Sequence, residues 1–306
     1  MKSSSTVQRV WRLPRGERRE HQAMCWSVGP QGELAVLLVR RSQLNRSRYV
    51  KGWPAWSPEV PFSGELVVVR GREERRTPLE DIRIRPRHLA LLSDSRFLLA
   101  GGRAMRDGAD GAWGPNAVVF SASGVPEAEF CVGDDIPVLV TDQRDRIWIV
   151  YGDEGIYGGH PESAGGLAGW NTKGDAVWLP KRRLPDFPLQ GCTGATEGDR
   201  VWLAWYPAGR TYLTRITPSG DDVTSFPSPV PSPDGLAVRD DRAVLTVRHH
   251  NRRSVDVVRA RLAGDGWTVT SRHRLRVPGR VVLYCGQGRD GFLWFRCGDT
   301  WLRIEA

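Results

Sequence analysis

Two pairs of carboxylates stand where a single turn could bring them together. Gly133-Asp134-Asp135-Ile136 and Tyr151-Gly152-Asp153-Glu154-Gly155 flank two apolar runs joined by Thr141-Asp142-Gln143-Arg144-Asp145-Arg146. If the chain reverses through residues 142–145, Thr141 opposes Arg146, and counting outward places Asp134 opposite Asp153, with Asp135 and Glu154 beside them. Like charges opposed across paired strands repel unless something neutralises them. A cation, an arginine or a raised carboxyl pKa is therefore implied. In that arrangement Asp153, supported by Asp134, is the candidate catalytic acid or base. The same carboxylates could instead hold calcium, magnesium or a basic ligand. The plainer alternative is a set of solvated turn acids that never converge.

The other residues able to meet a ligand lie in connecting segments. Trp53, Trp56, Trp113, Tyr151 and Tyr157 are either plugs for their own loops or flat plates on which a sugar or planar molecule could stack. His160 follows two glycines close to the acids, and Arg252 represents the most basic part of the chain. With Asp135 and Glu154 these complete the candidate binding set. No Walker A loop, dinucleotide fingerprint, zincin helix or serine nucleophile elbow is present, so nucleotide and dinucleotide cofactors lack their usual cradle.

The elements that must position these groups show as a phrase repeated six times: a polar or glycine turn followed by an apolar β-forming run. It begins at Leu34, Phe97, Ile147, Val201, Ala243 and Phe292, with spacings of 63, 50, 54, 42 and 49 residues. That period suits a four-stranded blade with variable loops. The expected fold is all-β, a six-bladed β-propeller forming one domain over residues 1–306. The blades fall near 20–82, 83–133, 134–186, 187–233, 234–279 and 280–306. The last is one strand short, and the strand-like Thr6–Leu13 segment is expected to close it and cover its edge. Connections between the second and third strands are long in the first three blades, near 41–63, 102–115 and 152–165, and short afterwards. The face bearing the long loops is the expected binding face.

Composition narrows the function classes. The net charge of +9 comes from 40 Arg and 4 Lys, without a lysine-rich tail or an RNA-binding signature. Nine acids against two arginines over 127–163, and eleven arginines against four aspartates over 239–280, give an acidic and a basic side. Solvated arginines and internal ion pairs account for this without nucleic acid as a partner. The five cysteines (25, 131, 192, 285 and 297) lack zinc-ligand spacing and read as thiols in a reducing compartment. No run approaches the 18 apolar residues of a membrane span. The expectation is a cytoplasmic protein with no membrane partner.

The stretch from Phe120 to Gly158, with Gly133-Asp134-Asp135-Ile136, Asp145-Arg146-Ile147-Trp148 and Tyr151-Gly152-Asp153-Glu154-Gly155-Ile156-Tyr157-Gly158, resembles uncharacterised actinobacterial propeller-like proteins. More distantly it is similar to sensor-type and NHL-type propeller repeats. The resemblance implies a fold and no particular activity. Propellers of the gluconolactonase and strictosidine synthase kind are enzymes, but their metal-ligand pattern has no residue-by-residue counterpart here. The leading expectation is a propeller that binds a small molecule, glycan or peptide over its long loops. The alternative is a hydrolase, lyase or isomerase using the acids of the third blade, with or without a divalent cation.

Overall fold

The repeated turn has a definite backbone requirement. Gly32, Ser95, Asp145, Asp240, Asp290 and Gly291 all lie in the left-handed region, with φ of 77, 68, 60, 55, 46 and 78°. Short hairpin loops need such residues, and glycine and aspartate tolerate the conformation best among those available. The apolar run after each turn becomes a strand covered on both faces. This is why it reads as a continuous hydrophobic stretch rather than an alternating one: Leu34 to Val39 and Ile147 to Val150 are wholly buried.

The computed structural model describes residues 7–46, 56–107, 111–249 and 253–306, with backbone alone for 107 and 282–285. Trp53 and Arg252 lie outside the described residues. The fold is all-β, and among the described residues the α-helices are two short ones, Glu17–Glu20 and Asp153–Tyr157. The chain divides into two compact units.

One unit comprises residues 14–183 and 187–190. It carries three four-stranded antiparallel sheets, each with its strands in sequence order. The first contains His21–Val28, Leu34–Arg40, Phe62–Arg70 and Glu73–Ile82. The second contains Pro86–Leu91, Phe97–Gly101, Ala117–Phe120 and Pro126–Phe130. The third contains Val138–Thr141, Ile147–Val150, Leu167–Trp170 and Ala176–Trp178. They stack through two apolar layers. Leu37, Val39, Leu89 and Phe97 share the layer between the first and second sheets, and Leu98, Ala100, Ile147 and Ile149 that between the second and third. All three long connections belong to this unit. The first holds a two-stranded ribbon, Leu44–Arg46 with Trp56–Pro58, and the second another, Arg106–Asp107 with Ala112–Trp113. The third holds the helix Asp153–Tyr157 and the 3-10 turn Ser163–Gly165.

The other unit comprises residues 1–13, 184–186 and 191–306. Its first four-stranded group is Gln190–Glu197, Arg200–Tyr206, Tyr212–Thr217 and Asp222–Pro227. A separate sheet follows, of Gly235–Arg239, Arg242–Arg248, Ser254–Ala263 and Gly266–Arg276. The last group, Val281–Arg289, Phe292–Cys297 and Thr300–Glu305, receives Gln8–Arg12 as its fourth strand, with Gln8 opposite Arg303 and Arg12 opposite Thr300. Trp11 packs on Trp301 with ring centroids 5.1 Å apart, and the Leu13 amide donates to the Asp299 carbonyl at 3.0 Å.

The first and last of these groups are joined by a short parallel pairing, Ala195 with Gly288 and Thr196 with Arg289, into one eight-stranded sheet. The approach is possible because of glycine: a Cβ on Gly286 would lie 2.5 Å from the Gly235 Cα, and one on Gly288 2.1 Å from the Leu236 carbonyl oxygen. The leading strands of this unit's three groups thus meet backbone to backbone, with no room for side chains at those points.

Candidate functional site

The acidic cluster lies in the unit of the first three sheets, and its register differs from the expected one by a residue. Thr141 pairs with Ile147 and Val138 with Val150, because the turn amide of Asp142 bonds the Arg146 carbonyl at 3.1 Å around a left-handed Asp145. Beyond the ladder the Gly152 amide still donates to the Asp135 carbonyl at 2.8 Å. That contact returns Asp135 to its expected partner, after which the chain leaves the strand for the helix Asp153–Tyr157, and Asp134 and Glu154 are linked through Arg103.

The neutralising charge is Arg103, from the long connection of the second sheet. Its Nε donates to Asp134 Oδ1 at 2.9 Å and its Nη2 to Oδ2 at 3.1 Å, while Nη1 contacts Glu154. The Ala104 amide gives Asp134 Oδ1 a further bond at 2.8 Å. Asp134 is only 3% exposed, so a fork of guanidinium and amide donors replaces its water. Asp135, half-buried in a left-handed conformation, has its carboxyl pKa raised by burial; Arg103 opposes the shift, and Glu154, Asp134 and Asp153 add to it. Asp153 opens the short helix at the surface, its Oδ1 accepting from the Glu154 amide at 3.0 Å.

Glycine permits this crowding. A Cβ on Gly155 would fall 1.9 Å from the Asp134 carbonyl oxygen, so the helix can lie directly on the segment 133–135 only as the sequence stands. Gly133, at φ 90°, has Ser163 Oγ and the Tyr151 ring within 2.5 Å of where a Cβ would be. Ser163 Oγ in turn accepts from the Asp134 amide at 3.0 Å.

The aromatic and histidine candidates divide into three kinds. Tyr151 is enclosed and presents no surface to a ligand. Its hydroxyl donates to the Val132 carbonyl at 2.8 Å and accepts from Trp170 Nε1 at 2.9 Å, and burial raises its pKa. Trp56 and Trp113 are half-buried, each with a guanidinium over the ring: Arg41 at 5.2 Å and Arg106 at 4.8 Å. Tyr157, by contrast, is 71% exposed at the end of the short helix, and its ring meets that of Phe187, 46% exposed, at 6.1 Å.

His160 is buried under Trp113, with ring centroids 5.1 Å apart. Its Nε2 lies 3.4 Å from Cys131 Sγ. Its Nδ1 is 3.2 Å from Glu162 Oε2, within ionic reach but not aligned as a hydrogen bond. Burial lowers the imidazole pKa against the pull of Glu162 and Asp134, so His160 rests neutral.

The structure thus brings Asp134, Asp135, Asp153, Glu154, Tyr157, Trp113 and His160 into one loop cluster, and leaves Trp56 on the first sheet's ribbon. Arg103, Arg106, Cys131, Glu162 and Phe187 belong to the cluster as well and carried no local signal in the sequence. Among the described residues, no group of three or more His, Cys, Asp or Glu side chains is arranged to hold a metal ion. Both oxygens of Asp134 are already engaged.

No protein-family model and no curated protein matches the sequence, so no sequence family supports the actinobacterial or NHL resemblance. Solved structures do match. Hydrazine synthase of Kuenenia stuttgartiensis is 11% identical with a TM-score of 0.54, over 93% of this chain and 95% of that one. A luciferin-regenerating enzyme is 10% identical with a TM-score of 0.51, over 99% and 96%. A putative oxidoreductase (glucose dehydrogenase) of Thermus thermophilus is 12% identical over 99% and 100%, and its TM-score of 0.49 is too low to argue from. At these identities the likeness shows an all-β, β-propeller-like fold and nothing of activity. Among the described residues, no helix is long and apolar enough to cross a membrane.

Proposed function

We propose that the loop cluster of the first three sheets binds a small ligand that combines a flat apolar face with hydrogen-bond donors, with a glycan as the best-fitting class. One observation carries this reading: the exposed Tyr157–Phe187 pair stands at the end of the helix whose first turn presents Asp153 and Glu154. Exposed aromatic rings give a stacking plate, and adjacent carboxylates accept from hydroxyls. Arg103 holds Glu154 in place and shares its charge with Asp134, so the acids need no metal to coexist. The same reading takes the six four-stranded groups as the blades of a six-bladed propeller. Cys131, Cys192 and Cys297 as free thiols support a reducing, cytoplasmic location.

An oligosaccharide panel titrated against the protein by saturation-transfer NMR tests the reading. Tyr157→Ala and Asp153→Asn should each weaken any hit at least about tenfold while leaving the circular dichroism spectrum unchanged, since both side chains are exposed. A stacking contact and a charged hydrogen bond are each of the order of 1–3 kcal/mol, and tenfold corresponds to about 1.4 kcal/mol, within that range.

A further inference from the structure

We propose that Cys131 is a nucleophilic thiol with His160 as its general base, and that this pair reacts covalently with small uncharged carbon electrophiles. The arrangement is independent of the ligand reading above. Cys131 follows the strand Pro126–Phe130, and its Sγ faces His160 Nε2 at 3.4 Å, with the Glu162 carboxylate 3.2 Å from the far ring nitrogen. Nucleophile, base and flanking acid in this order are what thiol attack on carbon requires. The base is held in place rather than free to swing. Trp113 and Trp170 lie against the ring at 5.1 and 6.3 Å, and the His160 carbonyl accepts from the Ala164 amide at 3.2 Å. His160 is buried, whereas Cys131 is only partly buried, so of the two the cysteine is the more accessible to a reagent.

Electrostatics decides how the proton moves. The thiol pKa is raised by burial, with the Gly133 amide donating to the sulfur in opposition, and Asp134 and Glu162 raise it further. The imidazole is neutral for the reasons given above. Other charged or titratable groups near the pair are Arg103, bound to Asp134, Arg106, stacked over Trp113, and the Tyr151 hydroxyl, bonded to Val132. The resting pair is thus thiol and imidazole, not thiolate and imidazolium, and the proton transfers during attack. With iodoacetamide, the Sγ–C bond forms as the C–I bond breaks and iodide leaves with its electron pair. The thiol proton passes to His160 Nε2, and Glu162 faces the imidazolium so formed until it returns the proton to water.

The test is alkylation of the native protein by iodoacetamide between pH 6 and 9, read by peptide mass spectrometry, with buried Cys192 and Cys297 as internal references. Cys131 should react at least about tenfold faster than either, with a rate that changes less than about threefold from pH 7 to 9, because the base is already unprotonated there. His160→Gln should lower the rate at pH 7 at least about tenfold and restore a rise of about tenfold per pH unit. A wild-type rate that climbs about tenfold per pH unit, or equals that of Cys192 and Cys297, overturns the proposal. This wild-type profile decides the matter even if the variant does not fold.

Discussion

Removing either half of the Arg103–Asp134 pair should have unequal consequences, and the inequality follows from burial. Asp134 is 3% exposed, whereas the Arg103 side chain is 54% exposed. In Asp134→Asn, the Oδ1 position can keep its bond from the Ala104 amide, but the new NH2 faces the Arg103 Nη2 donor. One charge-assisted bond is lost and another strained, and each is worth about 1.5–3 kcal/mol when well made. Arg103 can turn to water, so the net cost belongs near the low end, about 2 kcal/mol. Arg103→Met instead leaves a buried carboxylate with one backbone donor, and breaking such a pair from that side costs about 3–5 kcal/mol, or about 3 after allowing for the half-exposed partner. The double variant removes the stranded charge and should be more stable than Arg103→Met alone. Urea denaturation of all four proteins measures this, compared at constant m-value, with hydrogen exchange at the Ala104 amide as the local readout. If Arg103→Met is as stable as Asp134→Asn, or the double variant is the least stable of the set, the pair does not neutralise a buried charge and the account of the cluster fails.

Gly155→Ala sits in a helix, where alanine is intrinsically favoured by about 1 kcal/mol, yet it should destabilise by about 1–3 kcal/mol because its Cβ has a backbone oxygen 1.9 Å away; a rise in thermal midpoint would refute the packing. Deleting residues 1–13 removes the strand Gln8–Arg12 with buried Trp11 and Leu13 and should cost about 5 kcal/mol or more, read as a lowered unfolding midpoint. His88, half-buried and bonded through Nε2 to the Ile136 carbonyl at 2.7 Å, has its pKa lowered to about 3 by burial and by Arg87. The unfolded chain takes up that proton near pH 6.5, so stability is full above 6.5 and falls as pH drops toward 3. Relative to His88→Gln, wild type should lose about 2–3 kcal/mol between pH 6.5 and 4.5, and parallel pH profiles for the two would contradict this.

The sequence was legible where local chemistry dictates geometry. Turn residues that accept a left-handed backbone, followed by strands buried on both faces, mark all six hairpins. Observed strands such as Ile147–Val150 and Arg200–Tyr206 begin at or within a residue of the expected starts, Ile147 and Val201. The unpaired edge at Thr300–Glu305 likewise pointed to Gln8–Arg12. Register was less legible, because pairing Thr141 with Arg146 or with Ile147 depends on whether Asp145 takes the left-handed position, and the turn of the chain into a helix at Asp153 had no signal in the alternation of the strands. Arg103 and Cys131 were not legible at all. Arg103 lies 31 residues from Asp134 in one of 40 arginines, and Cys131 lies 29 from His160, so only the stacking of the second sheet on the third brings them together. The clustered acids implied a compensating charge, and Arg103 from the second sheet's long connection stands against them.

The proposed binding surface lies around Tyr157 and Asp153. Saturation-transfer NMR of wild type and Tyr157→Ala against one oligosaccharide panel addresses it most directly. At least one sugar should contact wild type, with transfer from the Tyr157 and Phe187 rings, and that signal should be lost in the folded variant. A panel without a single hit, or a hit that Tyr157→Ala leaves intact, would contradict it.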